Sequence, residues 1–293
     1  MEIFGVPSAL LGSQLLVGLI NGSFDAILSL GLAIIFGLLN IINFTHGAQY
    51  MMGAFVAWIA LNKLGINYWV ALLFAPIVIG ALGVLIERTM LRKLYKLDHL
   101  YGLLLTFGLA LIFEGIFRDQ YGISGQSYPV PELLQGGVNL GFMFLPIYRG
   151  WVVVAALTVC FATWFVIEKT KLGAYLRAGT ENAQMVQALG INVPLLITFT
   201  YGFGVALAAF AGVLAAPVYQ VSPLMGSNLI IVVFAVVVIG GMGSIMGSIL
   251  TGLGLGLIEG LTRVFYPEAS AVVVFVIMVI VLLVRPAGLF GKA

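Results

Sequence analysis

From Asn182 to Ile258 the chain reads NAQMVQALGINVPLLITFTYGFGVALAAFAGVLAAPVYQVSPLMGSNLIIVVFAVVVIGGMGSIMGSILTGLGLGLI, 77 residues without an Asp, Glu, Lys or Arg. A hydrocarbon core about 30 Å thick is crossed by roughly 20 helical residues, so this stretch alone holds about three spans. Shorter charge-free runs cover 26–62, 64–86 and 150–167. Over the 293 residues, 62% are hydrophobic and 8% charged, where a soluble domain carries about 25% charged residues. So few charges cannot clothe a soluble surface. With 13 basic and 11 acidic side chains, net charge +2, no basic face for nucleic acid can be assembled either.

The apolar runs near 11–36, 47–62, 68–86, 100–117, 150–167, 195–216, 228–243, 245–262 and 269–284 are long and apolar on all sides, which predicts helices rather than outer-membrane strands. The expected fold is therefore an all-α polytopic membrane protein, a single domain over 1–293. It is a bundle of about nine transmembrane helices, with eight to ten compatible with the pattern. The first Lys or Arg is Lys63, so the first apolar run is expected to stay as a helix and not to be cleaved as a signal peptide. Arg88, Arg92, Lys93 and Lys96 crowd one loop, Lys169, Lys171 and Arg177 another, and Arg285 and Lys292 the C-terminal tail. The positive-inside rule places these in the cytoplasm and the segment 119–149 outside. Nine crossings with the N-terminus outside follow if 228–262 goes in and returns through Gly240–Ser244. The first run is ambiguous: 11–46 reads as one long helix, a broken helix or a re-entrant pair.

No phosphate-binding GxxxxGK[ST] loop, nucleophile elbow or metal cluster is present: the histidines are His46 and His99, and the one cysteine is Cys160. No metal, no cofactor and no enzyme chemistry is expected. Four features remain. The stretch Asn40-Ile41-Ile42-Asn43-Phe44-Thr45-His46-Gly47 puts Asn40, Asn43, Thr45 and His46 between two apolar runs. At membrane depth such groups must face protein or a watery path, as in the broken helices of transporters. The alternative is a surface loop with Asn43 or Thr45 capping the next helix.

Asp25 lies inside the first apolar run with no sequence-local partner, which makes it a candidate for the substrate path or for a buried helix–helix hydrogen bond. Glu114 with Arg118 and Glu259 with Arg263 are spaced i, i+4 and are expected to pair at helix ends. Gly252, Gly256 and Gly260, Gly243 with Gly247, and Gly18 with Gly22 form small-xxx-small faces suited to close helix packing. Finally, 170–194 contains a short amphipathic helix near 180–190. Thr180 is expected to cap it, Glu181 to favour its N-terminal end, and Gly190 and Pro194 to stop it. It serves either to dock a soluble partner or to rest on lipid headgroups.

The motif at 37–47, Gly-Leu-Leu-Asn-Ile-Ile-Asn-Phe-Thr-His-Gly, with Tyr50-Met51 and Gly53-Ala54 after it, resembles the signature of inner-membrane permeases of branched-chain amino acid ABC importers. The likeness continues at Leu172-Gly173, Arg177-Ala178, Glu181-Asn182 and Ala188–Asn192. It returns at Val238–Gly247 and again at Arg285–Gly291. The match follows the order of the family along nearly the whole chain and is nearest to the shorter, LivH-type subunit.

The resemblance implies a permease that conducts leucine, isoleucine, valine or related small amino acids delivered by a periplasmic binding protein. It further implies a second, LivM-like permease chain and two cytoplasmic ATPase subunits as partners, in a bacterial inner membrane. On that likeness Asp25, Asn40, Asn43, Thr45 and His46 line or shape the path. Arg177, Glu181, Asn182, Ala183, Met185, Ala188 and Gly190 form the surface that couples to the ATPase. The family commonly has an acidic residue where this chain has Ala48, and often an uncharged one where it has Asp25. Urea, short-chain amides and aromatic acids therefore remain open as substrates. A reading from another class, an ion-coupled carrier or channel using Asp25 and Glu259, needs no ATPase; a structural or sensory subunit needs no path at all.

Overall fold

The computed structural model describes residues 2–3, 6–39, 41–95 and 97–291, which leaves Asn40, Lys96 and Lys292 outside the described residues. Six helices are long and apolar enough to cross a membrane, and the chain is a multi-pass helical membrane protein. Each of the nine apolar runs coincides with a helix: α1 (Ser8–Leu39), α2 (Thr45–Leu64), α3 (Tyr68–Thr89), α4 (His99–Tyr121), α5 (Ile147–Lys169), α8 (Val193–Ala215), α9 (Met225–Gly240), α10 (Ile245–Phe265) and α11 (Val273–Val284). The six qualifying helices are α1, α3, α4, α5, α8 and α10. The helix α2 carries Thr45, His46, Gln49, Asn62 and Lys63, while α9 and α11 have 16 and 12 residues. Two short helices, α6 (Lys171–Glu181) and α7 (Ala183–Ala188), follow α5.

The bundle is built around α1. Its apolar stretch is 83% buried, against 17% for α4, so α1 is the central post and α4 turns most of its surface outward. Exposed Leu104, Phe107, Leu111 and Ile112 on α4, and Leu73 and Ile77 on α3, are what a lipid-facing surface requires. The helix α1 packs most extensively against α10. There the glycine faces expected to pack do meet. A Cβ on Gly22 would fall 2.9 Å from the Gly252 carbonyl oxygen, and Cβ atoms on Gly18 and Gly256 would be driven into each other's backbone. With no hydrophobic drive between helices in lipid, such backbone approach is what gives van der Waals contact its strength.

One end of the bundle carries the hairpin of β3 (Gly137–Asn139) and β4 (Phe144–Pro146). A shorter ribbon of β1 (Glu2–Ile3) and β2 (Val6–Pro7) precedes α1. The other end carries the basic segments 88–93 and 169–177. At that basic end α9 turns into α10 through Gly241 and Gly243, both at positive φ, and Ser244 accepts a hydrogen bond from the Gly247 N–H. The C-terminal segment folds back on this turn, with the Leu289 and Phe290 N–H groups donating to the carbonyls of Ile239 and Gly240. Gly37, at the end of α1, packs on Gly243. Thus the motifs beginning at 37, 238 and 285, far apart in sequence, share one seat.

Several local expectations are corrected. Glu114 and Arg118 do not pair: among the described residues the ion pairs are Arg263–Glu259 and Arg177–Glu168. Glu114 instead lines a cleft with Phe44, Gly47, Pro223 and Gly226, and Arg118 is exposed. The helix near 180–190 is not capped by Thr180, whose hydroxyl donates to the Arg177 carbonyl within α6. Asn182 breaks the run with non-helical backbone and accepts from the Met185 N–H, because its side-chain carbonyl oxygen reaches the third amide of the next turn. Glu181 therefore ends α6 instead of opening α7. Gly190, at φ 84°, does stop α7, whereas Pro194 sits in the first turn of α8.

Candidate functional site

The helix α1 stops at Leu39 and α2 starts at Thr45, so 41–44 is non-helical backbone. Neither Asn43 nor Thr45 caps α2; Phe44 holds the cap position with no side-chain hydrogen bond. The orphan groups are met across the bundle by Thr106, the lone polar side chain in the run 102–113 of α4. Its hydroxyl donates to the Ile42 carbonyl at 3.1 Å and accepts from the Phe44 N–H at 3.2 Å. The Thr45 hydroxyl donates to the Thr106 carbonyl at 2.9 Å. A break inside a bundle must find such partners, since lipid supplies none.

His46 is fully buried and its Nε2–H donates to the Leu28 carbonyl in the middle of α1 at 2.9 Å. Gly31 makes room for the ring, for a Cβ there would lie 3.0 Å from Cε1. The break is therefore level with the middle of α1, well inside the bundle. Asn43 Nδ2 donates to Gln49 Oε1 at 3.3 Å. Asn43 Oδ1, Gln49 Nε2 and the hydroxyl of Tyr201, which faces this pair, are buried without further partners. These three side chains form an internal polar knot between α2 and α8.

Gly47 and Gly226 pack backbone to backbone, with a Cβ on Gly47 only 2.6 Å from the Gly226 carbonyl oxygen. The first turn of α9 thus lies against the first turn of α2. Beside it opens a cavity of about 400 Å³. It is bounded by α1 (Asn21, Phe24, Asp25), the connection before α9 (Tyr219, Ser222), one face of α9 (Asn228, Leu229, Val232) and the last turns of α10 (Glu259, Arg263). Tyr50 of α2 closes part of its wall. The Tyr219 hydroxyl donates to Asn21 Oδ1 at 3.2 Å, and its ring meets Phe24 at 5.7 Å. Burial and, after it, the neighbouring Asp25 carboxyl group raise the phenol's pKa, so it stays a neutral donor.

The structure therefore separates the residues the sequence singles out. Asp25 lines the cavity and is 8% exposed. Asn43, Thr45 and His46 are buried against protein and fix the course of the chain between α1 and α2. Arg177 is tied to the end of α5, where its Nη1 donates to the Ile167 carbonyl at 3.1 Å and faces Glu168 at 3.4 Å. Past it, Glu181, Asn182, Met185, Ala188 and Gly190 are exposed and Ala183 is half-buried.

Sequence reasoning missed Thr106, Gln49 and Glu87. Glu87 closes the charge-free run 64–86, so it looks like the start of the basic loop. It is instead 1% exposed, its Oε1 accepting from the Tyr95 hydroxyl at 2.7 Å and its Oε2 from the Thr198 hydroxyl at 2.6 Å. Among the described residues no cluster of three or more His, Cys, Asp or Glu could hold a metal.

Comparison with known proteins bears on this arrangement. The family described as branched-chain amino acid transport system, permease component, matches residues 14–282. The chain is similar to the high-affinity branched-chain amino acid transport system permease protein BraD of Pseudomonas aeruginosa, 33% identical over 95% of each chain. It is 30% identical to the corresponding protein LivH of Salmonella typhimurium, again over 95% of both. The companion permease LivM of the same organism is 28% identical, over 90% of this chain and 67% of that one.

Proposed function

This chain belongs to the branched-chain amino acid transport permease family, and on that premise we propose that it is the permease subunit of an ATP-binding cassette importer for leucine, isoleucine and valine. The substrate path runs through the cavity beside α9, and Asp25 lines it. Asn43, Thr45 and His46 shape it by holding the break from which α2 rises. The basic end lies in the cytoplasm of a bacterial inner membrane, and α1 to α5 and α8 to α11 make nine crossings with the N-terminus outside. What supports the path most is a cavity walled by Asn21, Asp25, Tyr219, Asn228, Glu259 and Arg263 among helices that are otherwise apolar.

A second, LivM-like permease chain completes the pore, two ATPase subunits sit at the cytoplasmic end, and a periplasmic binding protein delivers the substrate. The ATPase contacts the surface from Glu181 to Gly190, where Met185 and Leu189 expose 67% and 76% of their area. Apolar side chains held out this far on and just past a six-residue helix suit a protein partner. Movement of that surface reaches the bundle through Arg177 and the seat at Gly37 and Gly243, which line one shared groove. A ligand-driven switch of this kind works only if the two packings differ in affinity for ATP-bound partners.

The test is purification of the tagged chain from its native membrane in mild detergent, mass spectrometry of what co-purifies, and leucine uptake by proteoliposomes of the complex. Recovery of two ATPases and a second permease, with uptake that needs ATP and binding protein, is the expected result. A lone chain that moves solute down an ion gradient would make it a carrier. Glu181→Arg combined with Ala183→Trp is expected to release the ATPases while leaving the chain folded; if association and uptake persist, the coupling surface lies elsewhere.

A further inference from the structure

The cavity's charges do not balance. It holds two carboxyl groups and one guanidinium, and the guanidinium of Arg263 is already engaged by Glu259, four residues earlier on the same helix. Asp25 lies deeper, where α1 meets Gly252, further from the hairpin end than the Glu259–Arg263 pair. It is nine-tenths buried and lines the cavity, and among the described residues no donor or cation lies within bonding distance of it. Of the donors in the cavity wall, the Tyr219 hydroxyl is taken by Asn21 and Arg263 by Glu259, and none from Asn21, Gln220, Ser222 or Asn228 bonds to Asp25. A buried carboxyl group left in this way is costly, and it is retained only where something brings the missing charge and hydrogen bonds.

We propose that Asp25 is the counter-ion for a primary ammonium group, so that this cavity takes amine-bearing solutes, of which an aliphatic α-amino acid is the fitting member. Phe24, Leu229 and Val232 supply apolar wall for the side chain. An ammonium group has three donors and one positive charge, which is what Asp25 lacks. The assignment rests on the reading of this cavity as the substrate path. It adds what the path recognises: the amino group rather than the carboxylate, with Asp25 as the residue that selects it. A carboxylic acid of the same shape without the amino group would place like charge on Asp25 and is excluded.

The experiment uses the purified complex without its binding protein, in lipid nanodiscs, and reads ligand contact by saturation-transfer NMR, which detects weak binding. Three probes are compared: L-leucine, 3-methylbutylamine, which keeps the amine and loses the carboxylate, and 4-methylpentanoate, which does the reverse. Leucine and 3-methylbutylamine are expected to bind and compete, and 4-methylpentanoate to do neither. Asp25→Asn should weaken both binders by about tenfold or more, the worth of one charge-assisted hydrogen bond, and Asp25→Glu should restore part of the loss.

Equal binding of 4-methylpentanoate, no binding of either amine, or unchanged binding in Asp25→Asn would each overturn the proposal. If Asp25→Asn fails to assemble, the three probes on the unaltered complex still decide. Leucine uptake by the same complex separates the two readings. Uptake without amine recognition sinks the ammonium site alone. Amine binding at Asp25 in a complex that moves no leucine sinks the assigned substrate alone.

Discussion

Asp25 and Glu87 are both acids set within apolar helices, and both are at least nine-tenths buried. Their surroundings are opposite. Glu87 receives a hydroxyl on each carboxyl oxygen, from Tyr95 in the basic segment and Thr198 in the first turns of α8, and so binds three parts of the chain together. Asp25 has no donor among the described residues and borders about 400 Å³ of open space. A buried acid whose lone pairs are filled from its own chain serves as scaffold. One whose lone pairs are left open, beside a cavity, has its partner elsewhere. Burial alone does not separate these cases; the hydrogen-bond inventory does.

The contrast can be broken at several points. The largest effect is expected from the seam that holds Asp25 in place. Gly256→Leu drives a side chain into the α1 backbone and should cost more than about 3 kcal/mol, read as loss of monodisperse protein in detergent. Next, Glu87→Ala should lower stability by about 3 kcal/mol, since it strips two hydrogen bonds to a carboxyl group. Asp25→Ala should be neutral or slightly stabilising, because it removes an unpaired buried acid. Thermal unfolding of the two variants in one detergent checks this, and equal losses would erase the distinction.

Tyr95→Phe and Thr198→Val should each cost about 1 kcal/mol. In double-mutant cycles with Glu87→Gln both should show coupling, and neither should couple to Asp25→Asn. The smallest change is expected from Arg263→Gln. The Glu259–Arg263 pair is partly exposed, with 37% of the arginine side chain open, so its loss should cost about 0–1 kcal/mol. That variant should nevertheless tighten binding of 3-methylbutylamine, since it frees a second carboxylate beside Asp25.

Much of the architecture was legible because lipid imposes strict rules on sequence. Apolar runs of known length must be helices, and each of the nine has a helix in the structure. The glycine faces on α1 and α10 were legible for the same reason, as was the Glu259–Arg263 pair, both being set by helical spacing. The Glu114–Arg118 pair was not, although its spacing is identical. Glu114 lines a cleft made with residues near 44–51 and 223–230, which no local pattern contains. Likewise Thr180 had the composition of a cap, but Asn182 two residues on had the non-helical backbone that a cap needs.

The candidate site divides in the same way. That 40–47 interrupts an apolar region, and that Asp25 lacks a local partner, follow from the sequence alone, because polarity in lipid is visible one residue at a time. The sequence also determined the family, through motifs kept in order along the chain. Only the tertiary structure decided that Thr106 closes the hydrogen bonds of the break, and that Asn43, Thr45 and His46 face protein while Asp25 faces a cavity. Only it paired Glu87 with Tyr95 and Thr198. The physical reason is that satisfaction of a buried polar group is a property of pairs, and here most of the pairs join residues 60 or more positions apart. One-residue costs can be read along a chain; the partners that meet them are chosen when the helices pack.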